Sequence, residues 1–298
     1  MLLLNVLVND FLSMQYNYTI EEYKILECFG VSDLLAFQHS DRLIYKTIDN
    51  KTTQSSSVST NNVSLKPQDI KQSIEAFKNN IQYTNVSSKV EDIVEKSSPD
   101  FIDKVKNCNS IADLKKLINS HNISPLQNKA LNLVLGHGSE SADVMVIGEA
   151  PGADEDKEGL PFVGRSGKVL MCALSHINIT IQNTFITNSI FWRPPGNRNP
   201  SISELKTCFP VIIRMMQILK PKFIVFVGKV SANFYLNNES SMRDMRAQAL
   251  DLQCNYDESL HYIAKCWVLY HPAYLLRNPT KKKQMWFDLL DLKQALSN

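Results

Sequence analysis

The chain has 298 residues and a formal net charge of +2, with 44% hydrophobic and 21% charged residues. This composition is that of a globular protein with enough material for one large or two modest domains. It contains no apolar run of the ~18 residues that a membrane helix needs, so we expect no contact with a membrane.

The charge is distributed unevenly along the chain. Residues 1–104 carry 10 basic and 14 acidic side chains, a net −4, whereas residues 105–298 carry 22 and 16, a net +6. The second part is therefore compatible with a polyanionic partner, although so small an excess does not demand one.

Short helices and a polar linker are predicted within the first hundred residues. The start, MLLLNVLVND, lacks the basic region and cleavage site of a signal peptide, so we expect an ordinary buried segment. A helix is predicted from Thr19, with Glu22 as its capping-box partner and Gly30 as its stop. Residues 49–69 are rich in Ser, Thr and Asn and predict a flexible linker. We therefore assign residues 1–104 to an N-terminal extension.

Residues 105–298 predict a single α/β domain. Helical patterns at 167–177 and 201–219 alternate with short apolar runs. Continuous apolar strands alternating with helices are typical of a parallel sheet covered on both faces, hence of a three-layer sandwich around four parallel strands. The four predicted strands are DVMVIG (143–148), TFITNSI (184–190), FIVFVG (223–228) and CWVLYH (266–271).

Chemically distinctive residues follow three of these strands, at the sheet edge where parallel sheets bind ligands. GEAPGADEDKEGLPFVG (148–164) carries five acidic side chains, too many to cradle a phosphate. Each residue also has an ordinary interpretation: Phe162 as core, His271 as a turn residue, and Asn188 as a buried amide with internal partners. Together they suit a planar, uncharged heterocycle, because an aromatic ring can stack on it while an amide and an imidazole meet its polar edge.

These segments resemble the family 4 (thermophile-type) uracil-DNA glycosylases. The resemblance rests on the acidic loop, on ITN (186–188), on RPPGNR (193–198) and on YHPAYLLRNP (270–279), and it covers about residues 108–298. It implies the uracil-DNA glycosylase-like form of the three-layer fold and a pocket for an extruded uracil.

The resemblance assigns a role to each pocket residue. Glu149 and Ala150 would contact the base chiefly through backbone, and Phe162 would stack on its ring. Asn188 would pair with N3–H and O4, and His271 would face O2.

The resemblance also implies contacts to DNA. Leu275 is the residue expected to insert into the base stack, and Arg277 is expected to contact a phosphate. Arg193 and Arg198 are further candidates for the DNA backbone.

The expected chemistry is hydrolysis of the N-glycosidic bond. His271 would stabilise the negative charge that develops at uracil O2. Related glycosylases place an aspartate on the attacking water where this chain has Ala150, which cannot act as a base. Glu155 is our candidate to orient that water or to polarise the site, and Glu149 is the other acidic candidate for catalysis.

The chain departs from the family at the ligands of its [4Fe–4S] cluster. Three of the four cysteine positions hold His121, Ser124 and Trp192, and only Cys208 remains. Because thiolates hold such clusters, we expect no cofactor and no metal, with Trp192 filling the vacated space.

The leading interpretation is a monofunctional glycosylase that removes uracil from DNA and leaves an abasic site for base excision repair. A non-catalytic DNA- or protein-binding relative and a glycosylase for another deaminated base, such as hypoxanthine, stay open. We expect a cytoplasmic monomer with reduced thiols that acts on single- or double-stranded DNA. The N-terminal extension is a possible site for a repair or replication partner.

Overall fold

A mixed sheet runs through the computed structural model, which describes residues 83–85, 99–236, 240–246, 250–253 and 263–297. The strands in these residues are β1 (Tyr83–Asn85), β2 (His137–Gly138), β3 (Val144–Gly148), β4 (Thr184–Asn188), β5 (Phe223–Val227), β6 (Leu250–Gln253) and β7 (Ile263–Leu269). Their order across the sheet is β1-β6-β7-β5-β3-β4-β2.

The centre of the sheet consists of the four strands that the sequence predicts. β7, β5, β3 and β4 are neighbours and all parallel, and Val146 pairs with both Ile186 and Val225. The predicted three-layer α/β fold is therefore confirmed. The two short flanking strands β2 and β6 are antiparallel to their central neighbours β4 and β7. Strand β1 forms the edge of the sheet and pairs in parallel with β6. These three strands were not predicted from the sequence.

Helices connect the strands, and the predicted helices at 167–177 and 201–219 are observed at Arg165–Ser175 and Ile202–Leu219. The Ser201 hydroxyl accepts from the Glu204 backbone N–H, and the Glu204 carboxylate accepts from the Ser201 backbone N–H, so a capping box begins the long fifth helix. The helices are α1 (Pro99–Lys106), α2 (Ile111–Ser120), α3 (Ala153–Glu158), α4 (Arg165–Ser175), α5 (Ile202–Leu219), α6 (Lys229–Leu236), α7 (Met242–Arg246), α8 (Pro272–Arg277) and α9 (Lys282–Leu296), with 3₁₀ turns at Pro195–Asn197 and Pro279–Lys281.

Aromatic packing holds α5 and α6 against the central strand β5. The Tyr235 ring stacks on Phe226 at 5.5 Å and on Phe209 at 5.7 Å between centroids, and Phe234 meets Tyr235 edge-on. All four rings are buried. This cluster fixes the strand whose carboxyl end leads into the candidate site at Gly228.

The chain divides into two compact units, residues 1–81 and 82–298, and everything described above belongs to the second. Three predictions concern residues outside the described ranges: the buried segment at the start of the chain, the helix from Thr19 and the polar linker at 49–69. The boundary after residue 104 stays a prediction. Within the described part of the chain, no helix has both the length and the apolar character needed to cross a membrane.

The cysteines agree only in part with the expectation of reduced thiols. Cys108, Cys208 and Cys266 are free and buried. Cys172 is disulfide-bonded, so the expectation is wrong for that residue. Burial raises the pKa of the Cys208 thiol to about 12, which keeps it protonated.

Candidate active site

The candidate site lies at the carboxyl ends of the central strands and is organised around Gly148. A Cβ at Gly148 would overlap the Asn188 Oδ1 atom and lie 2.5 Å from the Phe162 ring. The amide and the ring therefore lie close to each other at this glycine. Both groups pack so closely against the Gly148 backbone that only a glycine fits at this position.

Phe162 is held in an uncommon backbone conformation. Its φ of 57° lies in the left-handed region, which a bulky residue rarely adopts. Gly167, in the first turn of α4, allows this arrangement because a Cβ there would overlap the Phe162 carbonyl. Such strain persists only where the surroundings enforce it, and it is typical of ligand-binding segments.

Asn188 presents a buried amide without a protein partner. The residue is 3% exposed, yet no hydrogen bond joins its side-chain amide to any residue in the described ranges. The neighbouring Ser189 donates from both its backbone N (2.9 Å) and its Oγ (2.8 Å) to the Gly148 carbonyl, which fixes the ends of β3 and β4. The Asn188 amide atoms are not among the fully buried side-chain atoms that lack a partner in the described residues, so they keep some contact with solvent and can bind a ligand.

The acidic loop is closed by Glu155. One carboxylate oxygen accepts from the Gly152 amide at 3.0 Å, and the other accepts from the Gly164 amide at 2.9 Å. Glu155 thus joins the start of α3 to the start of α4 and sets the course of the segment that contains Phe162. Its predicted role in orienting water is not tested by this arrangement and stays a prediction.

The sequence analysis missed the role of Asp156, which it treated only as one of the loop's acids. This side chain is 4% exposed and accepts from the backbone amides of Leu131 (2.8 Å) and Asn132 (3.2 Å). The Asn132 side-chain Nδ2 donates in turn to the Asp156 backbone carbonyl at 2.7 Å. These bonds attach the 130–133 turn to α3, a long-range contact for which the sequence contains no signal.

Glu149 and Ala150 follow β3 at the base of the acidic loop. Both are half-buried, and Ala150 packs against the hydrophobic core. Burial raises the pKa of the Glu149 carboxyl, because a charge there loses hydration. The methyl group of Ala150 provides no base, as the sequence analysis expected.

His271 is the N-cap of α8, and its ring is held as a neutral hydrogen-bond donor. The Nδ1 atom accepts from the Ala273 amide at 3.2 Å, which leaves the proton on Nε2. Burial, together with the positive charge of Arg277, lowers the pKa of His271 to about 4, and the negative charge of Glu155 opposes this shift. Gly228, at a φ of 101°, permits the ring to approach, because a Cβ there would lie 3.2 Å from the His271 Cβ.

The burial of Leu275 does not agree with its expected insertion into DNA. Its side chain is 0% exposed and belongs to the packed interior, whereas Leu276 is partly exposed. The reason is the helical turn of α8, which directs adjacent residues to different faces. In this structure Leu276, rather than Leu275, is the better placed of the two. Arg277 is exposed at the end of the same helix, as a phosphate contact requires.

The two arginines of the RPPGNR segment form hydrogen bonds with nearby protein groups. Arg198 makes a bidentate pair with Glu204, at 2.8 and 2.6 Å, and this guanidinium holds the pKa of Glu204 down at about 2. Arg193 donates from Nε to Asn197 Oδ1 at 2.7 Å. The cations therefore stabilise the segment, and their contacts to DNA stay predictions.

The four family ligand positions do not fit an iron–sulfur cluster. With its proton on Nδ1, His121 donates to the Leu117 carbonyl at 2.9 Å, and its Nε2 lies 3.3 Å from the Lys104 ammonium. Both ring nitrogens are thus occupied by protein. Trp192 is 2% exposed and packs edge-on against Phe191 at 6.0 Å between centroids.

The remaining two ligand positions, Ser124 and Cys208, provide a single thiol between them. Ser124 is buried and its hydroxyl accepts from the Leu126 amide at 3.3 Å. Cys208 is the one thiol among the four positions, and a single thiolate cannot hold a four-iron cluster. The residues that are present thus form hydrogen bonds and apolar contacts with their protein neighbours.

Comparison with known proteins agrees with this geometry. The model of the Uracil DNA glycosylase superfamily matches residues 135–290, which is more than half of the chain. The chain belongs to the uracil-DNA glycosylase superfamily. The matched range includes Phe162, Asn188 and His271, so the superfamily assignment and the candidate site concern the same domain.

Several relatives within the superfamily carry the name Type-4 uracil-DNA glycosylase. The protein from Pyrobaculum aerophilum is 36% identical over 179 residues, covering 59% of this chain and 89% of the relative. Those from Archaeoglobus fulgidus and Thermotoga maritima are 31% and 32% identical, and cover 59% and 58% of this chain and 87% and 86% of the relatives.

Proposed function

We propose that this protein excises uracil from DNA, as the names of its relatives state for them, and leaves an abasic site for base excision repair. The observation that carries the proposal is the Asn188 amide, which is buried, has no partner among the described residues and lies beside the Phe162 ring. Uracil has the polar edge and the aromatic face that such a pair can bind.

Base recognition divides between these two side chains. The Asn188 Oδ1 accepts from uracil N3–H and the Nδ2 donates to O4, while the Phe162 ring stacks on the base. Cytosine presents the opposite pattern at these two atoms, so it leaves the amide unsatisfied. Glu149 and Ala150 contact the base chiefly through their backbone groups. This assignment follows the family resemblance and is supported by the position of Gly148 between amide and ring.

Catalysis depends on stabilising the leaving group. The bond between the sugar C1′ and uracil N1 breaks, and its electron pair moves onto the base, where charge accumulates at O2. His271, with a proton on Nε2, donates to that oxygen and needs no change of protonation state to do so. Water then adds to C1′ and releases a proton, which completes the hydrolysis.

The acidic residues stabilise positive character on the sugar. Glu155 carries a charge that acts on His271 and also holds the loop, so we assign it the polarisation of the site and the orientation of the water. A dissociative reaction needs little base strength, which is compatible with Ala150 in place of an aspartate. Glu149 has a raised pKa and lies half-buried beside the pocket, where it is the second acidic candidate.

We further propose that the protein works without an iron–sulfur cluster. The proposal is supported by the bonds that occupy both nitrogens of His121 and by the burial of Trp192. No catalytic step involves these residues, because the proposed chemistry needs only the pocket.

The proposed substrate is uracil in single- or double-stranded DNA, bound by one copy of the chain. Flipping the base out of a duplex leaves a gap in the stack, and Leu276 is the apolar side chain that we assign to fill it. Arg277 contacts a phosphate beside it, with Arg193 and Arg198 as further backbone contacts. A cytoplasmic location and a partner for the N-terminal extension stay predictions.

Uracil excision can be tested with labelled oligonucleotides that contain one uracil, one hypoxanthine or no modified base. Each is incubated with the protein as a single strand and as a duplex, then treated with alkali to break the chain at abasic sites. Cleavage at uracil alone supports the proposal. Cleavage at hypoxanthine alone indicates another deaminated base, and binding without cleavage indicates a non-catalytic relative; either result refutes uracil excision.

A further inference from the structure

The residue before His271 is held by three neighbours. Tyr270 is 8% exposed, and the Arg246 guanidinium carbon lies 4.1 Å from its ring centroid. The Tyr274 ring stacks on the Tyr270 ring at 5.3 Å between centroids. The Tyr270 hydroxyl donates to the Gln284 side-chain oxygen at 3.0 Å. The ring has little freedom, and the backbone that leads into His271 is fixed with it.

Arg246 is itself fixed by a buried carboxylate. Its Nε donates to one oxygen of Asp288 at 2.6 Å and its Nη2 to the other at 2.7 Å, and Nη2 also reaches the Gln284 carbonyl at 3.0 Å. Both side chains of the pair are 9% exposed. A bidentate pair with a third bond holds the guanidinium plane in one orientation, and that plane covers the Tyr270 ring.

Stability alone gives a weak reason for this arrangement. Removing two charges from water offsets much of their attraction, so apolar side chains of similar volume are often as stable as a buried ion pair. What the pair provides is a defined geometry, and it does so between α7, α9 and the end of β7. A catalytic donor needs such definition, because a misplacement of about 1 Å can cost roughly 100-fold in rate.

We propose that Arg246 and Asp288 are positioning residues for His271. Their pair fixes Tyr270, and Tyr270 fixes both the backbone of His271 and, through Tyr274, the helix α8 that carries Leu276. The proposal rests on the proposed function, in which His271 donates to the departing base. It extends the site beyond the pocket to a network that touches neither the base nor the reacting atoms.

The main test replaces the pair by apolar side chains in the full chain, with Arg246→Met and Asp288→Leu together. We expect the Tm to stay within a few degrees, because neither charge is left buried alone. Single-turnover excision at saturating protein should fall about 10- to 100-fold. Affinity for uracil-containing DNA should change less than about threefold, because phosphate contacts dominate it.

The control removes an exposed ion pair at the other end of the sheet. Lys222 and Asp143 lie 3.1 Å apart, and each precedes a central strand at its amino end, far from the pocket. Lys222→Gln with Asp143→Asn should leave both the rate and the Tm unchanged. A rate loss in this control equal to that of the test variant would overturn the proposal, because the effect would then not depend on the contact with Tyr270.

A second variant keeps the proposal testable if the apolar pair does not fold. Tyr270→Leu removes the ring that connects the pair to His271 but leaves Arg246 and Asp288 bonded. We expect the same loss of rate with DNA affinity retained. Full excision activity in Tyr270→Leu would overturn the proposal whatever the apolar pair does.

A readout independent of activity separates this inference from the proposed function. In protein labelled with ¹⁵N at histidine, His271 should show a single neutral ring with its proton on Nε2. In the apolar-pair variant this signal should move toward a mixture of the two tautomers. If the wild type excises no uracil, the proposed function fails, yet the spectra still decide the inference: an unchanged His271 signal in the variant would refute it.

Discussion

The Asn188 amide and the Phe162 ring meet across Gly148, and the space between them has no room for a side chain. An alanine at residue 148 would overlap the amide oxygen and lie 2.5 Å from the ring. We expect Gly148→Ala to lower single-turnover excision of uracil by about 100-fold or more, because the base-reading groups are displaced.

The measurement for Gly148→Ala is excision beside thermal melting. Both strands that end here stay paired through Ser189, so the fold should persist with a modest loss of Tm. Wild-type excision by Gly148→Ala would mean that these two residues do not form the base pocket.

Asn188→Asp should weaken the discrimination between uracil and cytosine. A site built around buried polar groups rejects a mismatched partner by roughly 10⁴-fold. A protonated aspartate can donate to cytosine N3 and accept from its amino group, which the native amide cannot do in the orientation assigned to it for uracil. The measurement is excision from matched oligonucleotides that contain uracil or cytosine, with Asn188→Ala as the control for simple loss of the amide. Full uracil activity and selectivity in Asn188→Asp would make this residue structural.

The central sheet could be predicted because its signal is local. Each parallel strand is buried on both faces, so it is read as an uninterrupted apolar run bounded by turn residues, as in Phe223–Val227. The helical pattern predicted at 201–219 is equally local, and the helix is observed at Ile202–Leu219. The three outer strands were missed because two to four residues, as in His137–Gly138 and Leu250–Gln253, are too few to show a period.

The parts of the site that could not be predicted depend on long-range contacts. The left-handed backbone of Phe162 follows from the approach of α4 at Gly167, and the role of Asp156 follows from a turn more than twenty residues earlier in the chain. Neither is encoded in a short pattern. The pair of Arg246 and Asp288 spans 42 residues and shows no motif at all.

The choice between two adjacent leucines shows the same limit. From the motif alone Leu275 was expected to insert into DNA, but only the position of α8 against the core decides which side chain is free. We expect Leu276→Ala to lower excision from duplex DNA about 10-fold or more, with little effect on single strands, because only a duplex must be kept open.

Leu275→Ala is the matched control for the Leu276 variant. Its fully buried side chain should cost about 2–5 kcal/mol of unfolding free energy when truncated, which thermal or urea melting would detect. Leu276→Ala should leave the melting curve almost unchanged. If Leu275→Ala specifically lost duplex activity without loss of stability, the assignment of the two leucines would be reversed.

The purified protein should be colourless and free of iron. Three of the four family ligand positions hold His121, Ser124 and Trp192, and the one remaining cysteine, Cys208, cannot hold a four-iron cluster alone. Anaerobic purification followed by iron and acid-labile sulfide analysis checks this, with a characterised cluster-containing glycosylase as the positive control. Stoichiometric iron and sulfide in active protein would contradict the prediction.

Removal of the His271 ring should affect the transition state more than binding. We expect His271→Ala to lower single-turnover excision by about 10²- to 10³-fold, the usual effect of losing one donor to a developing anion. Affinity for uracil-containing DNA should change far less, since phosphate contacts supply most of it. Unchanged cleavage by the folded variant would remove His271 from the mechanism.

The low pKa of His271 also makes the stability of the protein depend on pH. The folded-state pKa of about 4 lies below the ordinary value of 6.5, so between these values the unfolded chain binds a proton that the folded chain does not. Stability therefore falls as the pH drops through this window. When the pH is lowered from 7 to 4.5, the free energy of unfolding of the wild type should fall by about 2 kcal/mol more than that of His271→Gln, because the glutamine side chain does not titrate. Urea unfolding of both proteins at several pH values measures the difference, and parallel curves would show that the imidazole is not buried as a neutral base.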